Sequence, residues 1–203
     1  MCGRYYLYIK LEKILQKYGI KDTEISFTPQ KEIFPSNKTP VVLNYNKKIQ
    51  LKSIKWGFSP SFTSNLIINA RSETIEEKPT FRKSFYQRRC LIPATGFFEW
   101  KKEGKNKEKY KITLKNKELF SFAGIFDYFQ NQNGNQFAAY SILTTSANNK
   151  IKSIHQRMPV IITGEEQEKD WLNPDIKNTG YLKKMLTPYP VKYVNLKKVE
   201  KKN

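Results

Sequence analysis

Hydrophobic positions near the start of the chain fall at helical spacing. Leu11, Ile14, Leu15 and Tyr18 share one face, and Gly19 is placed to stop the turn, which predicts one amphipathic helix. Beyond it the pattern changes to short runs rich in β-branched and aromatic residues. VVLNY (41–45) and IQLKSIKW (49–56) flank an Asn-Lys turn. TGFFEWK (95–101), YKITL (110–114), LFSFAGIF (119–126) and FAAYSILTT (137–145) are separated by clusters such as EGKNKE and NQNGNQ, so each reads as a strand. TGEE (163–166) has the form of a capping box, with Thr163 as cap and Glu166 at the third helical position, and predicts a helix to about Trp171, stopped by Asn173-Pro174. VKYVNL (191–196) predicts a last strand. With no repeat of 20–50 residues and no linker, the pattern predicts a single β-rich α+β domain over 1–196 and a charged tail over 197–203.

Composition narrows the setting. A chain of 203 residues, 38% hydrophobic and 14% aromatic, is long enough to bury a proper core and too apolar to be disordered. Its 37 Lys+Arg against 18 Asp+Glu leave a net charge of +19, which suits a polyanion such as nucleic acid. Many lysines also lie in solvated segments (KKEGKNKEK at 101–109, KKVEKKN at 197–203), so charge alone does not decide the partner. Two cysteines and one histidine, His155, make no zinc pattern, and no metal or other cofactor is expected. No apolar run approaches ~18 residues and no secretory h-region is present, so the chain reads as cytoplasmic, without a membrane span or a disulfide. Nothing demands more than a monomer.

Four stretches set polar groups beside apolar, strand-like ones: MCGR (1–4), INARSET (68–74), CLIPATGFFEW (90–100) and IHQRMPVII (154–162). Taken singly, each has an ordinary structural explanation. Asn69 fits a turn, Glu99 fits the solvent face of a half-buried strand because it alternates with Phe98 and Trp100, His155 fits a satisfied structural histidine, and Cys90 fits a buried, inert thiol. Cys2 is the exception. A small second residue favours removal of Met1, which would leave Cys2 with a free α-amine and a thiol on one carbon skeleton.

Taken together and in order, the four stretches resemble the SOS response-associated peptidase (SRAP) family, from residue 1 to about residue 195. The resemblance implies a curved, barrel-like, mostly antiparallel fold and catalytic roles for Cys2, Asn69 (the N-A-R motif), Glu99 (F-E-W) and His155 (H-x-R-x-P). It implies phosphate contacts from Arg4, Arg71 and Arg157, further DNA contacts from Pro35 and Thr144, and a base-wedging aromatic at Phe62 within WGFSPSF. The sequence departs from the family at KEIFPSN, where Glu32 stands in place of the usual asparagine and sets a carboxylate beside the expected groove.

The function implied is the sensing of abasic sites in single-stranded DNA, within the DNA-damage (SOS) response and nucleoid-associated when DNA is bound. The Cys2 amine would condense with the sugar aldehyde, and its thiol would then close a thiazolidine ring. Glu99 would move protons. His155 would open the sugar ring or hold a phosphate, and Asn69 would orient the amine or a sugar hydroxyl. Two other readings stay open: a cysteine peptidase acting on its own Met1 or on other proteins, and a non-catalytic basic binder of single strands. Glu73 lies close enough in sequence to pair with Arg71, which would make that arginine structural.

Overall fold

The computed structural model describes residues 2–104 and 106–200. Met1, Lys105 in the EGKNKE turn and the last three residues of the charged tail lie outside the described residues. The chain opens with β1 (Tyr5–Leu7), α1 (Leu11–Tyr18), β2 (Gln30–Ile33), β3 (Lys38–Tyr45), β4 (Lys48–Trp56) and β5 (Asn69–Arg71). It continues through α2 (Pro79–Gln87), β6 (Arg89–Ala94), β7 (Gly96–Glu103), β8 (Asn106–Leu114), β9 (Phe120–Gln130) and β10 (Gln136–Ser146). The last elements are α3 (Asn149–Lys152), β11 (Arg157–Pro159), β12 (Ile161–Ile162), α4 (Glu165–Leu172), α5 (Thr179–Lys184) and β13 (Val194–Lys198).

The strands form two sheets. One runs β13-β8-β7-β1-β2, all antiparallel. In the other, β10 pairs with β4 on one side and with β9 on the other, so β9-β6-β3-β4-β10 closes on itself as a small barrel. Closure removes free edges along these strands, which a long antiparallel ribbon would otherwise expose. The β3–β4 hairpin turns on Asn46 and Lys47, both at positive φ (50° and 61°), the mirror-image turn whose twist matches paired strands.

β1 ties the two sheets together. Its Tyr5 side chain enters the barrel core, where the ring meets Trp56 and Phe122 edge-on at 5.2 and 5.7 Å. Its hydroxyl shares protons with Thr39 Oγ1 (2.9 Å) and Tyr140 Oη (2.8 Å), so the buried polar atom is satisfied. Burying one such aromatic is worth roughly 1.5–3 kcal/mol, which anchors the strand three residues beyond Cys2. On the other side of β1, the Tyr6 ring lies across Gly96, where any Cβ would stand 2.3 Å from the Tyr6 hydroxyl, so β7 must carry glycine there.

The predicted first helix is α1, closed by Gly19 in the left-handed conformation (φ 63°). Two local expectations need correction. Gly164, not Thr163, caps α4, and no side chain caps it. Thr163 directly follows β12, which is paired to β9, so the chain is still extended there and the helix starts one residue later. The last strand also begins late: Val191–Tyr193 form a single 3-10 turn and β13 starts at Val194, continuing to Lys198 against β8.

Candidate active site

Three of the four candidate catalytic residues converge just ahead of β1, where the five-stranded sheet meets the barrel. The β1–β7 pairing sets Tyr5 opposite Phe97, and the Phe98 amide donates to the Arg4 carbonyl at 2.9 Å. Continuing that register places Glu99 opposite Gly3, one residue from Cys2. Cys2 is fully buried, and its thiol donates to the Arg4 carbonyl at 3.7 Å. From the barrel side, Asn69 Nδ2 donates to the Cys2 carbonyl at 3.0 Å. Asn69 therefore holds the Cys2 backbone, and its Oδ1 is buried with no hydrogen-bond partner among the described residues.

Glu99 is not on a solvent face. It is 2% exposed, and burial pushes its carboxyl up to about 7, where acid and base forms coexist at neutral pH. Burial, with the Glu99 charge second, pushes the Cys2 thiol well above the ordinary thiol range, so it is held protonated.

A second cluster forms along β5, β10 and β11. Asn69 and Arg71 lie two residues apart on one face of β5, with Ala70 buried behind them. Arg71 is exposed on the face from which Asn69 reaches Cys2. Thr144 pairs in register with both Arg71 and Pro159 and is fully buried. Arg157 is locked in place. It donates to both Glu73 oxygens (2.6 and 2.8 Å) and to the Thr144 carbonyl (2.6 Å) and hydroxyl (3.2 Å). That bidentate pair holds the Glu73 carboxyl below its ordinary value. Glu73 thus spends its oxygens on Arg157, which leaves Arg71 to solvent.

His155 sits in the turn between α3 and β11. Its Nδ1 accepts from the Arg157 amide at 3.0 Å, a shorter contact than the 3.3 Å to the Arg157 carbonyl, so the ring proton belongs on Nε2. Burial lowers its pKa, favouring the neutral ring.

The remaining candidates stand further out. Phe62 is 71% exposed, while Trp56 and Phe58 of the same WGFSPSF segment are buried, with Trp56 Nε1 donating to the Ile68 carbonyl (3.0 Å). Pro35 occupies a turn in which Asn37 N donates to the Phe34 carbonyl (3.1 Å) and Ser36 has φ 73°. The Arg4 guanidinium lies 3.8 Å over the Phe34 ring, and its Nε is 3.3 Å from Glu32 Oε1. Lys109 was not singled out from the sequence, yet its ammonium contacts both Glu32 oxygens at 2.8 Å. Its position opposite Trp100 in the β7–β8 hairpin was the available signal, since cross-strand neighbours share a face. Among the described residues no cluster of three metal-binding side chains is present.

The site's frame is a mostly antiparallel barrel with a second sheet packed on it, and the first strand of that sheet sets a cysteine beside a buried carboxyl. A family model described as SOS response associated peptidase (SRAP) matches residues 1–202, and the chain belongs to that family. It is 37% identical over 197 residues to abasic site processing protein YoqW of Bacillus subtilis (strain 168), covering 93% of this chain and 88% of the relative. A more distant relative is abasic site processing protein HMCES of Xenopus tropicalis, 25% identical over 182 residues, 72% of this chain and 54% of that one. A crystal structure of a protein from Bacteroides thetaiotaomicron superposes with a TM-score of 0.87 at 28% identity, covering 98% of this chain and 92% of that one.

Proposed function

We propose that this protein processes abasic sites in single-stranded DNA by forming a covalent thiazolidine through Cys2 after Met1 is removed. The observation that carries the reading is the placement of Cys2: its carbonyl gripped by Asn69 and a carboxyl of pKa about 7 one residue across the sheet. The naming of the relatives as abasic site processing proteins supports the same substrate.

The ring-opened sugar presents an aldehyde. The Cys2 α-amine adds to its carbonyl carbon and gives a carbinolamine. Glu99 in its acid form protonates the departing hydroxyl, and one water leaves as the iminium forms, its nitrogen keeping one hydrogen. Glu99, now a carboxylate, takes the thiol proton as Sγ attacks the iminium carbon, which restores the acid form and leaves a neutral ring N–H. One C–N and one C–S bond are made, and one water is released. Keeping the thiol protonated until this step prevents competing thiolate chemistry. Neutral His155, with its proton on Nε2, is the second donor for opening the sugar ring.

Arg71 and Phe62 supply phosphate and base contacts, and Arg4 lies beside the reacting cysteine. Arg157 and Thr144 position the β5–β10–β11 edge that carries Arg71. Met1 removal can use the same thiol: Sγ attacks the Met1 carbonyl, the Met1–Cys2 C–N bond breaks as the amine takes a proton, and water hydrolyses the thioester. A role in the DNA-damage response at the nucleoid follows from this substrate, and among the described residues no helix is long and apolar enough to cross a membrane.

The test is crosslinking of Cys2 variants to an abasic oligonucleotide. Cys2→Ser keeps the amine and should give a reversible imine but no heat-stable adduct. A heat-stable adduct from Cys2→Ser equal to wild type would refute the thiazolidine. Peptide hydrolysis without DNA would instead favour a general peptidase.

A further inference from the structure

Glu32 sits between two cations that have no other carboxylate at comparable distance among the described residues. Lys109 Nζ is 2.8 Å from each of its oxygens and Arg4 Nε is 3.3 Å from one. Both cations are also steered by aromatic rings. Arg4 stacks on Phe34 at 3.8 Å, and Lys109 stands 4.1 Å over Phe98 and 5.6 Å from Trp100. Three strands contribute to the arrangement: Glu32 from β2, Arg4 beside the start of β1 and Lys109 from β8. An anion held by a guanidinium and an ammonium, with flat rings on either side, has the surroundings of a phosphodiester next to a stacked base. All the charged groups are about three-quarters shielded, with side-chain exposures of 26–29%, so the pair is partly desolvated yet open to exchange.

We propose that Arg4 and Lys109 form a phosphate subsite for single-stranded DNA, occupied in the free protein by the chain's own Glu32 carboxylate. This rests on the nucleic-acid reading above and adds Lys109 and Glu32 to it. The incoming phosphodiester displaces the carboxylate, and Glu32 swings to solvent. Glu32 thereby lowers affinity for undamaged strands, because every binding event must break its two contacts. It also lowers the number of counterions released, because one of the two positive charges is already neutralised.

The experiment measures binding of an undamaged single-stranded oligonucleotide by fluorescence anisotropy from 50 to 200 mM salt, with crosslinking to an abasic oligonucleotide run in parallel. Glu32→Gln should tighten binding at least about threefold at the lowest salt and steepen the log–log salt slope by about 0.7, the contribution of one single-strand phosphate contact. Adding Lys109→Ala to Glu32→Gln should return the slope to the wild-type value. Glu118→Gln removes the same charge from an exposed carboxylate that pairs with Lys13, and should change neither quantity. Wild-type binding and crosslinking with no difference between Glu32→Gln and wild type would overturn the subsite and leave the function standing. Equal tightening by Glu118→Gln would overturn it too, because the effect would then be one of total charge. Wild-type protein that binds no single strand would overturn both.

Discussion

Cys2 and Cys90 are both fully buried, and burial pushes both thiols upward, the Cys90 thiol well above its ordinary value. Their surroundings differ. Cys90 lies within β6, paired to β3 and β9, and its carbonyl accepts from Trp171 Nε1 at 2.9 Å, so its polar atoms serve the barrel. Cys2 lies ahead of β1, with its carbonyl held from β5, its thiol on the Arg4 carbonyl and the Glu99 carboxyl across the sheet. Neither burial nor acidity tells the two apart. Position at the chain start, beside a titratable carboxyl, does: only there can one residue present an amine and a thiol to the same carbon.

The sharpest way to break this comparison is to exchange the roles by mutation. Cys2→Ala should abolish the heat-stable adduct, whereas Cys90→Ala should keep it and lose only stability, by about 1 kcal/mol or somewhat more, as a small core truncation does. An adduct surviving in Cys2→Ala and lost in a folded Cys90→Ala would reverse the assignment.

Glu99 gives the next largest effect. General acid–base contributions are typically about 10²–10⁴-fold, so Glu99→Gln should slow single-turnover crosslinking by that range without abolishing DNA binding. The same carboxyl makes a prediction for stability. Its folded pKa, about 7, is raised above the unfolded value near 4.3, so its contribution is fully present below about pH 4 and is lost as pH rises through 7. Relative to Glu99→Gln, the wild type should lose about 3 kcal/mol between pH 4 and pH 8 in denaturant titrations. Parallel stability profiles and a wild-type rate would reduce Glu99 to a scaffold residue and leave His155 as the remaining proton carrier.

The smallest effect separates two arginines. Arg71→Ala should flatten the salt slope of single-strand binding by about 0.7 with little change in stability. Arg157→Ala should instead lower the melting temperature, because it strands Glu73 and the buried Thr144 hydroxyl. A flattened slope from Arg157→Ala and none from Arg71→Ala would exchange their roles.

How far these differences were legible in the sequence depends on the range of the interaction. The helix α1 was legible because Leu11, Ile14, Leu15, Tyr18 and Gly19 encode it locally. The six hairpin-forming strands β3, β4, β7, β8, β9 and β10 were legible from alternation and turn residues. Closure of the barrel came from the family resemblance and not from local pattern, because it depends on β10 meeting β4, where Tyr140 pairs with Trp56 from a distant part of the chain. Glu99 between Phe98 and Trp100 reads locally as a solvent-facing position. It shares a face with Phe97, whose ring meets Phe122 of β9, so its burial appears only when the two sheets pack together. Glu73 lies two residues from Arg71 but pairs with Arg157, 84 residues away, which no local pattern encodes. Thr163 misled because the capping-box pattern is silent about the strand pairing just before it. The resemblance identified Cys2, Asn69, Glu99 and His155 as one group. The geometry adds that Asn69 acts on the Cys2 carbonyl.

The most direct test of the central claim is the intact mass of the purified protein before and after reaction with an abasic single-stranded oligonucleotide. The account predicts a protein lacking Met1 and an adduct equal to protein plus oligonucleotide minus one water. An adduct that retains Met1 quantitatively would contradict it, because the Cys2 amine would then be an amide and no thiazolidine could form.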